Sequence, residues 1–301
     1  MVPPIVIGAH PKRQDPEPIE LGVMLSRLTR APIDVVATFW FDSTPHGTAS
    51  DDYRRTLTEE VQDRIEQSAG DSGRPPAEVR VHVGYAPTKQ ALHERASEVG
   101  AGLIVVGSTH RGAIGRIALG STTDRVLGRA PCPVAISPRG FRDRAGVPGR
   151  VGVAFVDTPG GWAAMRAGAA IARHTGADLI AYTVIDSHAH DADRDPAAAA
   201  IEQAIMKHAF DIRSEARVLS EGGVDALVAE SRKLDFLVRG AGGHGPVRRP
   251  LAIGLADKLA RQVACPLFVV PPGVDEPFVT LFGARAGVED DAELAMRRVP
   301  A

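Results

Sequence analysis

Apolar residues along this chain alternate between two spacings. Short β-branched runs stand at Ile5–Ala9, Ile33–Phe41, Val79–Val83, Ile104–Val106 and Val134–Ile136, and between them apolar side chains recur every three or four positions. Continuous runs of that length read as buried strands, and the spaced positions read as one face of a helix. Leu21, Met24, Leu25 and Leu28 share such a face, as do Ala91, Leu92 and Ala96, and then Val126, Leu127 and Ala130. Ser50 is placed to cap a further helix in which Tyr53, Leu57, Val61 and Ile65 recur every four residues, so one side of it is expected to be buried. Strand followed by helix, repeated without a break, predicts an α/β fold with a parallel, doubly wound sheet and helices on both faces.

The pattern then starts again. Val151–Val156 reads as a strand, Trp162–His174 as a helix, Ala177–Val184 as a strand and Pro196–Arg213 as a helix. Ala216–Leu219 reads as a weak strand, Val224–Lys233 as a helix, and Phe236–Val238 and Leu267–Val270 as strands. Gly107 recurs as Gly240, Cys132 as Cys265, Asp124 as Asp257 and Gly140 as Gly273, each displaced by 133 residues. A period that long predicts two tandem domains and not a solenoid of short repeats. The expected division is domain one at residues 1–138, a Pro, Gly and Arg-rich linker at 139–149, domain two at 150–273, and a tail at 274–301. In that tail Asp290–Val299 could form a short helix with little apolar backing, so loose docking is expected.

Length and composition narrow the picture only slightly. A chain of 301 residues favours two cores over one. A formal net charge of −2 gives no electrostatic case for nucleic acid or an anionic membrane surface. No apolar run is long enough for a membrane span, and the start MVPPIVIGAHPKRQ lacks the apolar centre of a signal peptide, so a cytoplasmic location is expected. Cys132 and Cys265 each precede a proline at the head of an apolar run. With no Cys or His at ligand spacing, both read as small buried thiols.

The informative stretch runs from Leu103 to Pro133. A strand stopped by Gly107 is followed by a loop of small residues, and Gly120-Ser121-Thr122-Thr123 then opens a helix. Backbone N–H groups at a helix start lack intrahelical partners, and the helix dipole adds partial positive charge, so an anion fits there where glycine keeps the approach open. Arg111 and Arg116 lie inside this loop and could reach a phosphate, the alternative being that they are ordinary solvated arginines. The spacing of Gly107, Gly120 and Ser121, together with the phrase Ala130-Pro131-Cys132-Pro133-Val134, resembles the universal stress protein family. That family's signature is Gly, two residues, Gly, nine residues and Gly-Ser/Thr around the phosphates and ribose of ATP. The resemblance implies a five-stranded sheet of order 3-2-1-4-5 in each domain, with strands one and four side by side. It also implies ATP as cofactor, a role in the stress response through regulatory protein partners, and pairing as a homodimer or between the two domains.

Carried over residue by residue, the resemblance assigns cofactor contact to Gly107, Gly120, Ser121 and the backbone of Thr122, with His10 and His110 beside them. Both histidines are departures. His110 replaces the second glycine, and His10 stands where the family carries an Asp at the end of strand one. Losing that charged hydrogen bond is expected to weaken binding by about 1.5–3 kcal/mol. In the second copy Gly240 and Gly243 keep the first half of the signature, but Ile253 and Gly254 replace Gly-Ser/Thr, and Val156 fills the aspartate slot with Asp157 one residue late. This copy is expected to bind nucleotide poorly or not at all. Gly240–Gly245 also matches GxGxxG, and Asp191, Asp193, Asp195 and Glu202 partly match a calcium loop. The first sits too late in its domain, and Pro196 blocks the second. No Walker lysine, HExxH or nucleophile elbow is present, so no catalytic or metal residue is assigned and slow ATP hydrolysis is the most expected of it. The alternative is a scaffold that binds no nucleotide and acts through its paired domains and protein partners.

Overall fold

Ten strands form one sheet in the computed structural model of the protein, which describes residues 2–9, 16–38, 48–69, 78–84, 86–108, 125–143, 146–185, 191–220, 223–241 and 262–283. The strands are β1 (Ile5–Ala9), β2 (Ile33–Thr38), β3 (Val79–Gly84), β4 (Leu103–Gly107) and β5 (Val134–Ser137), then β6 (Arg150–Ala154), β7 (Asp178–Val184), β8 (Ser214–Leu219), β9 (Phe236–Gly240) and β10 (Leu267–Val270). The helices are α1 (Glu17–Thr29), α2 (Thr48–Ala69), α3 (Thr88–Val99), α4 (Pro159–Thr175), α5 (Asp191–His208), α6 (Gly223–Glu230) and α7 (Glu276–Gly283).

The order across the sheet is β3-β2-β1-β4-β5-β10-β9-β6-β7-β8. Each half therefore has the order 3-2-1-4-5 with parallel pairing throughout. The halves join where β5 and β10 run antiparallel, with Ile136 opposite Leu267, Ala135 opposite Phe268 and Val134 opposite Val269. Both strands are buried along their whole length. An unpaired edge of that kind would leave backbone donors and acceptors without partners and an apolar row in water.

Side chains alternate across the sheet as the pleat requires. Ile5 and Ile7 lie on the side of the sheet that α1, α2, α4 and α7 cover, whereas Val6, Ile104 and Val106 lie on the side that α3 and α6 cover. Each of the two cores runs without a break from the first half into the second. The stretch between the halves is also attached: Asp143 pairs with Arg27 of α1 at 3.0 Å, and the Gly140 N–H donates to Glu17 at 2.8 Å.

Two local outcomes differ from the sequence expectation. The helix expected to reach Arg213 ends at His208, because Arg173 of α4 caps it by donating to the His208 carbonyl at 3.0 Å and to Asp211 at 2.6 Å. More consequentially, the segment after Gly273 opens with a buried helix. Phe278 and Leu281 of α7 are fully buried, and Phe236, Phe268, Phe278 and Phe282 form a continuous aromatic row. Asp275, just before this helix, takes a two-point hydrogen bond from Arg166 of α4 at 2.6 and 3.0 Å. Pro277 and Leu281 pack close over Gly102 of the first half, where an added Cβ would fall 3.0 Å from the Pro277 carbonyl oxygen and 3.2 Å from the Leu281 Cβ. His174 closes the arrangement, its two ring nitrogens lying 2.8 Å from the Phe282 carbonyl and 2.9 Å from the Leu28 carbonyl. The short helix suggested at Asp290–Val299 lies outside the described residues.

Truncating a fully buried phenylalanine costs about 3–5 kcal/mol, so Phe278→Ala is expected to lower the unfolding free energy of the whole chain by that amount, seen as a lower denaturant midpoint. An unchanged midpoint would mean that α7 is loosely attached.

Candidate functional site

In an open parallel sheet, ligands collect beyond the carboxyl ends of the central strands where the order reverses. In the first half that place lies beyond Ala9 of β1 and Gly107 of β4, which are adjacent strands with Ile7 opposite Val105. In the second half it lies beyond Ala154 of β6 and Gly240 of β9. Of the residues assigned from sequence, Gly107 and Gly240 are described, one at each of these places. His10, His110, Arg116, Gly120, Ser121, Thr122 and Gly243 lie outside the described residues.

The two glycines meet different neighbours. A Cβ added to Gly107 would touch Pro18 of α1 at 3.4 Å, an ordinary van der Waals distance. A Cβ at Gly240 would fall within 2.4 Å of the Gly160 carbonyl group and 2.8 Å of the Gly161 nitrogen, and a Cβ at Gly160 would fall 2.7 Å from the Ala241 oxygen. Helix α4 therefore starts hard against the end of β9, backbone to backbone. The sequence dictates this closeness. Only residues 155–158 separate β6 from α4, Thr158 caps the helix by accepting the Gly161 N–H at 3.1 Å, and Pro159 starts it, as helix N-termini favour. The first half spends residues 10–16 on the same connection.

The carboxylate nearest the aspartate slot of the second half is occupied. Asp157 accepts the Trp162 indole N–H at 2.8 Å, and the indole packs edge-on against Phe155 with Lys207 5.3 Å from its ring centroid. Between the first turn of α4 and Gly240 the backbones are in contact, without space for an added methyl group.

At the opposite, amino ends of the strands each half carries a polar cluster that the sequence analysis missed. In the first half Asp34 of β2 is 1% exposed, and one of its carboxylate oxygens lies 2.9 Å from both His82 Nε2 of β3 and Arg95 of α3. The register sets Ile180 of β7 against Glu215 and Tyr182 against Arg217, just as Asp34 stands against Arg80 and Val36 against His82. The acid now comes from the helix layer: Glu230 of α6 takes bonds from Lys233 at 2.6 Å, Arg217 at 2.9 Å and the Tyr182 hydroxyl at 3.3 Å. These donors, Lys233 first, hold the Glu230 carboxyl below its usual range, and burial followed by the Glu230 charge raises the Tyr182 phenol well above its own. A cavity of about 240 Å³ opens beside this cluster, with Ile180 and Tyr182 in its lining. Aligning the two copies strand by strand would have exposed the signal, since Ile180 stands where a buried carboxylate is needed in the other half.

Neither cysteine offers chemistry. Burial pushes the Cys132 thiol up to about 12 and raises that of Cys265 as well, and thiols are reactive only as thiolates. No group of three or more His, Cys, Asp or Glu able to hold a metal occurs among the described residues, and no helix there is long and apolar enough to cross a membrane.

The sequence profile of the universal stress protein family matches residues 1–138 and 149–271. A universal stress protein of Mycolicibacterium smegmatis is 40% identical over 96 residues, which cover 32% of this chain and 72% of that protein. Among solved structures, a universal stress protein from Archaeoglobus fulgidus superposes with a TM-score of 0.64 at 19% identity, covering 89% of this chain and 98% of its own. A putative universal stress protein from Pseudomonas aeruginosa gives 0.60 at 16% identity, covering 94% and 97%. At these identities the structures show the fold.

Two outcomes follow from the packing. Overfilling a tight contact costs about 1–3 kcal/mol, so Gly240→Ala is expected to lower thermal stability by at least that much, while Gly107→Ala leaves it nearly unchanged. Both thiols are expected to resist an aromatic disulfide reagent at pH 8 until the chain unfolds. Because their native pKa values are raised, stability should fall as pH rises past about 8.5, where unfolded thiols ionise. Rapid labelling of the native protein would contradict the burial.

Proposed function

This chain belongs to the universal stress protein family, and we propose that it works as a regulatory adenine-nucleotide sensor whose first half, β1 to β5, is the binding half. The observation that supports this reading is the unequal closure of the two carboxyl ends. In the second half the first turn of α4 fills the space against Gly240, whereas in the first half Pro18 stays at ordinary contact distance from Gly107. The glycine loop that keeps Gly120 and Ser121 is also the one in the first half. In this reading the phosphates of ATP lie against Gly107, Gly120, Ser121 and the Thr122 backbone, Arg116 neutralises charge, and His10 and His110 flank the ligand. Gly240 and Gly243 hold none. Binding orders the loop, and that population shift is read by a cytoplasmic protein partner. With no lysine in the loop, turnover is at most slow.

A scaffold that binds no nucleotide is the second reading, favoured by the β5–β10 pairing, which already supplies within one chain the domain pairing such a scaffold needs.

Thermal melts with ATP, AMP or cyclic AMP separate the two. Ligand at one hundred times Kd stabilises the native state by about 2.7 kcal/mol. The expected result is a concentration-dependent rise in Tm that a Gly120→Val, Ser121→Ala double variant loses and Gly243→Ala keeps. No rise with any of the three at millimolar concentration would remove the sensor reading and leave the scaffold.

A further inference from the structure

The cavity at the amino ends of β6, β7 and β8 lies at the opposite edge of the sheet from the glycine loops, and nothing in the sensor reading uses it. Its lining has a fixed internal order. Glu215 is engaged twice by Arg217, at 2.6 and 2.8 Å. Glu230 is engaged by Arg217, Lys233 and Tyr182. These acids have their charge matched from within the cluster. The cations at the rim are matched less closely. Arg213 is 84% exposed and meets Asp178 only at 3.6 Å. The Arg150 guanidinium has no partner among the described residues. Beneath them lies Ile180, 8% exposed, beside Tyr182, which is 1% exposed and has the Arg217 guanidinium carbon 6.0 Å from its ring centroid.

The first half supplies an internal control for this arrangement. At the position of Ile180 it carries Asp34, a buried carboxylate bound to His82 and Arg95. Replacing that carboxylate by an aliphatic side chain removes the negative charge from the floor and leaves the cations above it in surplus, with Arg150, Arg213, Arg217 and Lys233 set against Asp178, Glu215 and Glu230. A cationic rim over an apolar floor matches a ligand with an anionic head and a flat or aliphatic body. The volume of about 240 Å³ lies below the roughly 300–1,000 Å³ of sites for drug-sized ligands, which limits the occupant to a small molecule.

We propose that this cavity is a binding site for a small organic monoanion, its charged head held by Arg150 and Arg213 and its body resting against Ile180. The site is separate from the glycine loops, so nucleotide binding and anion binding stand or fall independently.

The test uses the full chain labelled with 15N and three probes: benzoate, benzyl alcohol as the uncharged body, and inorganic phosphate as the charge without a body. Benzoate is expected to give saturable amide shifts centred on Leu179, Ile180 and Ser214. A lost charge-assisted contact weakens binding by about tenfold or more, so benzyl alcohol, and benzoate against an Arg150→Ser, Arg213→Ser variant, should each bind at least about tenfold more weakly than benzoate to the native chain. Both arginines are exposed, and an unchanged melt of the variant shows that the fold is intact. The proposal is overturned by unsaturable benzoate shifts, by equal benzoate affinity in the variant, or by phosphate binding as tightly as benzoate, which would make the rim a surface for any anion.

Discussion

Antiparallel pairing of β5 with β10 is the constraint on which the rest of the molecule depends. Each strand is four residues long and buried throughout, so neither half could present its last strand to water without cost. Once they pair, the two sheets become one and both apolar layers become continuous across the join. Residues 139–149 then span a fixed distance between packed bodies, held by Arg27 to Asp143 and by Glu17 to Gly140. The duplicated chain is a single sheet with pseudo-twofold character, and its open edges are β3 and β8.

Within that shared frame the halves have diverged at both ends of the strands. At the carboxyl end the difference lies in backbone geometry, where a short connection and two glycines bring α4 against β9. At the amino end it lies in charge. Asp34 on a strand with Arg95 on a helix becomes Arg217 on a strand with Glu230 on a helix. The cross-layer pairing survives with its signs exchanged. Such an exchange keeps each cluster neutral enough to bury while altering what remains exposed around it.

Much of the fold was legible in the sequence because its signals are local and periodic. The strands at Ile5, Ile33, Val79 and Leu103 and the helices between them follow from spacing alone, and the 133-residue repeat announces the duplication. The join between halves was not legible, since a run such as Leu267–Val270 reads as a strand whether its neighbour is parallel or antiparallel. Helix α7 was missed for a related reason. Its apolar residues Phe278, Leu281 and Phe282 are too few to give a period, and their burial depends on α4 and on Gly102, far away in the chain. Of the candidate site, the strand ends and the flanking glycines could be placed. The role of Gly240 could not, because it depends on how early α4 begins. The polar clusters at the amino ends depend on residues from three elements each, such as Asp34, His82 and Arg95, and no motif links them.

Three helices, α1, α4 and α7, end around the His174 ring, and the last of them packs over Gly102, just before β4. Synthesis delivers those contacts out of step, since Leu28 and Gly102 are made well before residues 276–283, which pack on them. The nascent first half therefore emerges with part of its base uncovered and with β5 lacking its neighbour. The first half reaches its final packing only once residue 283 has been made.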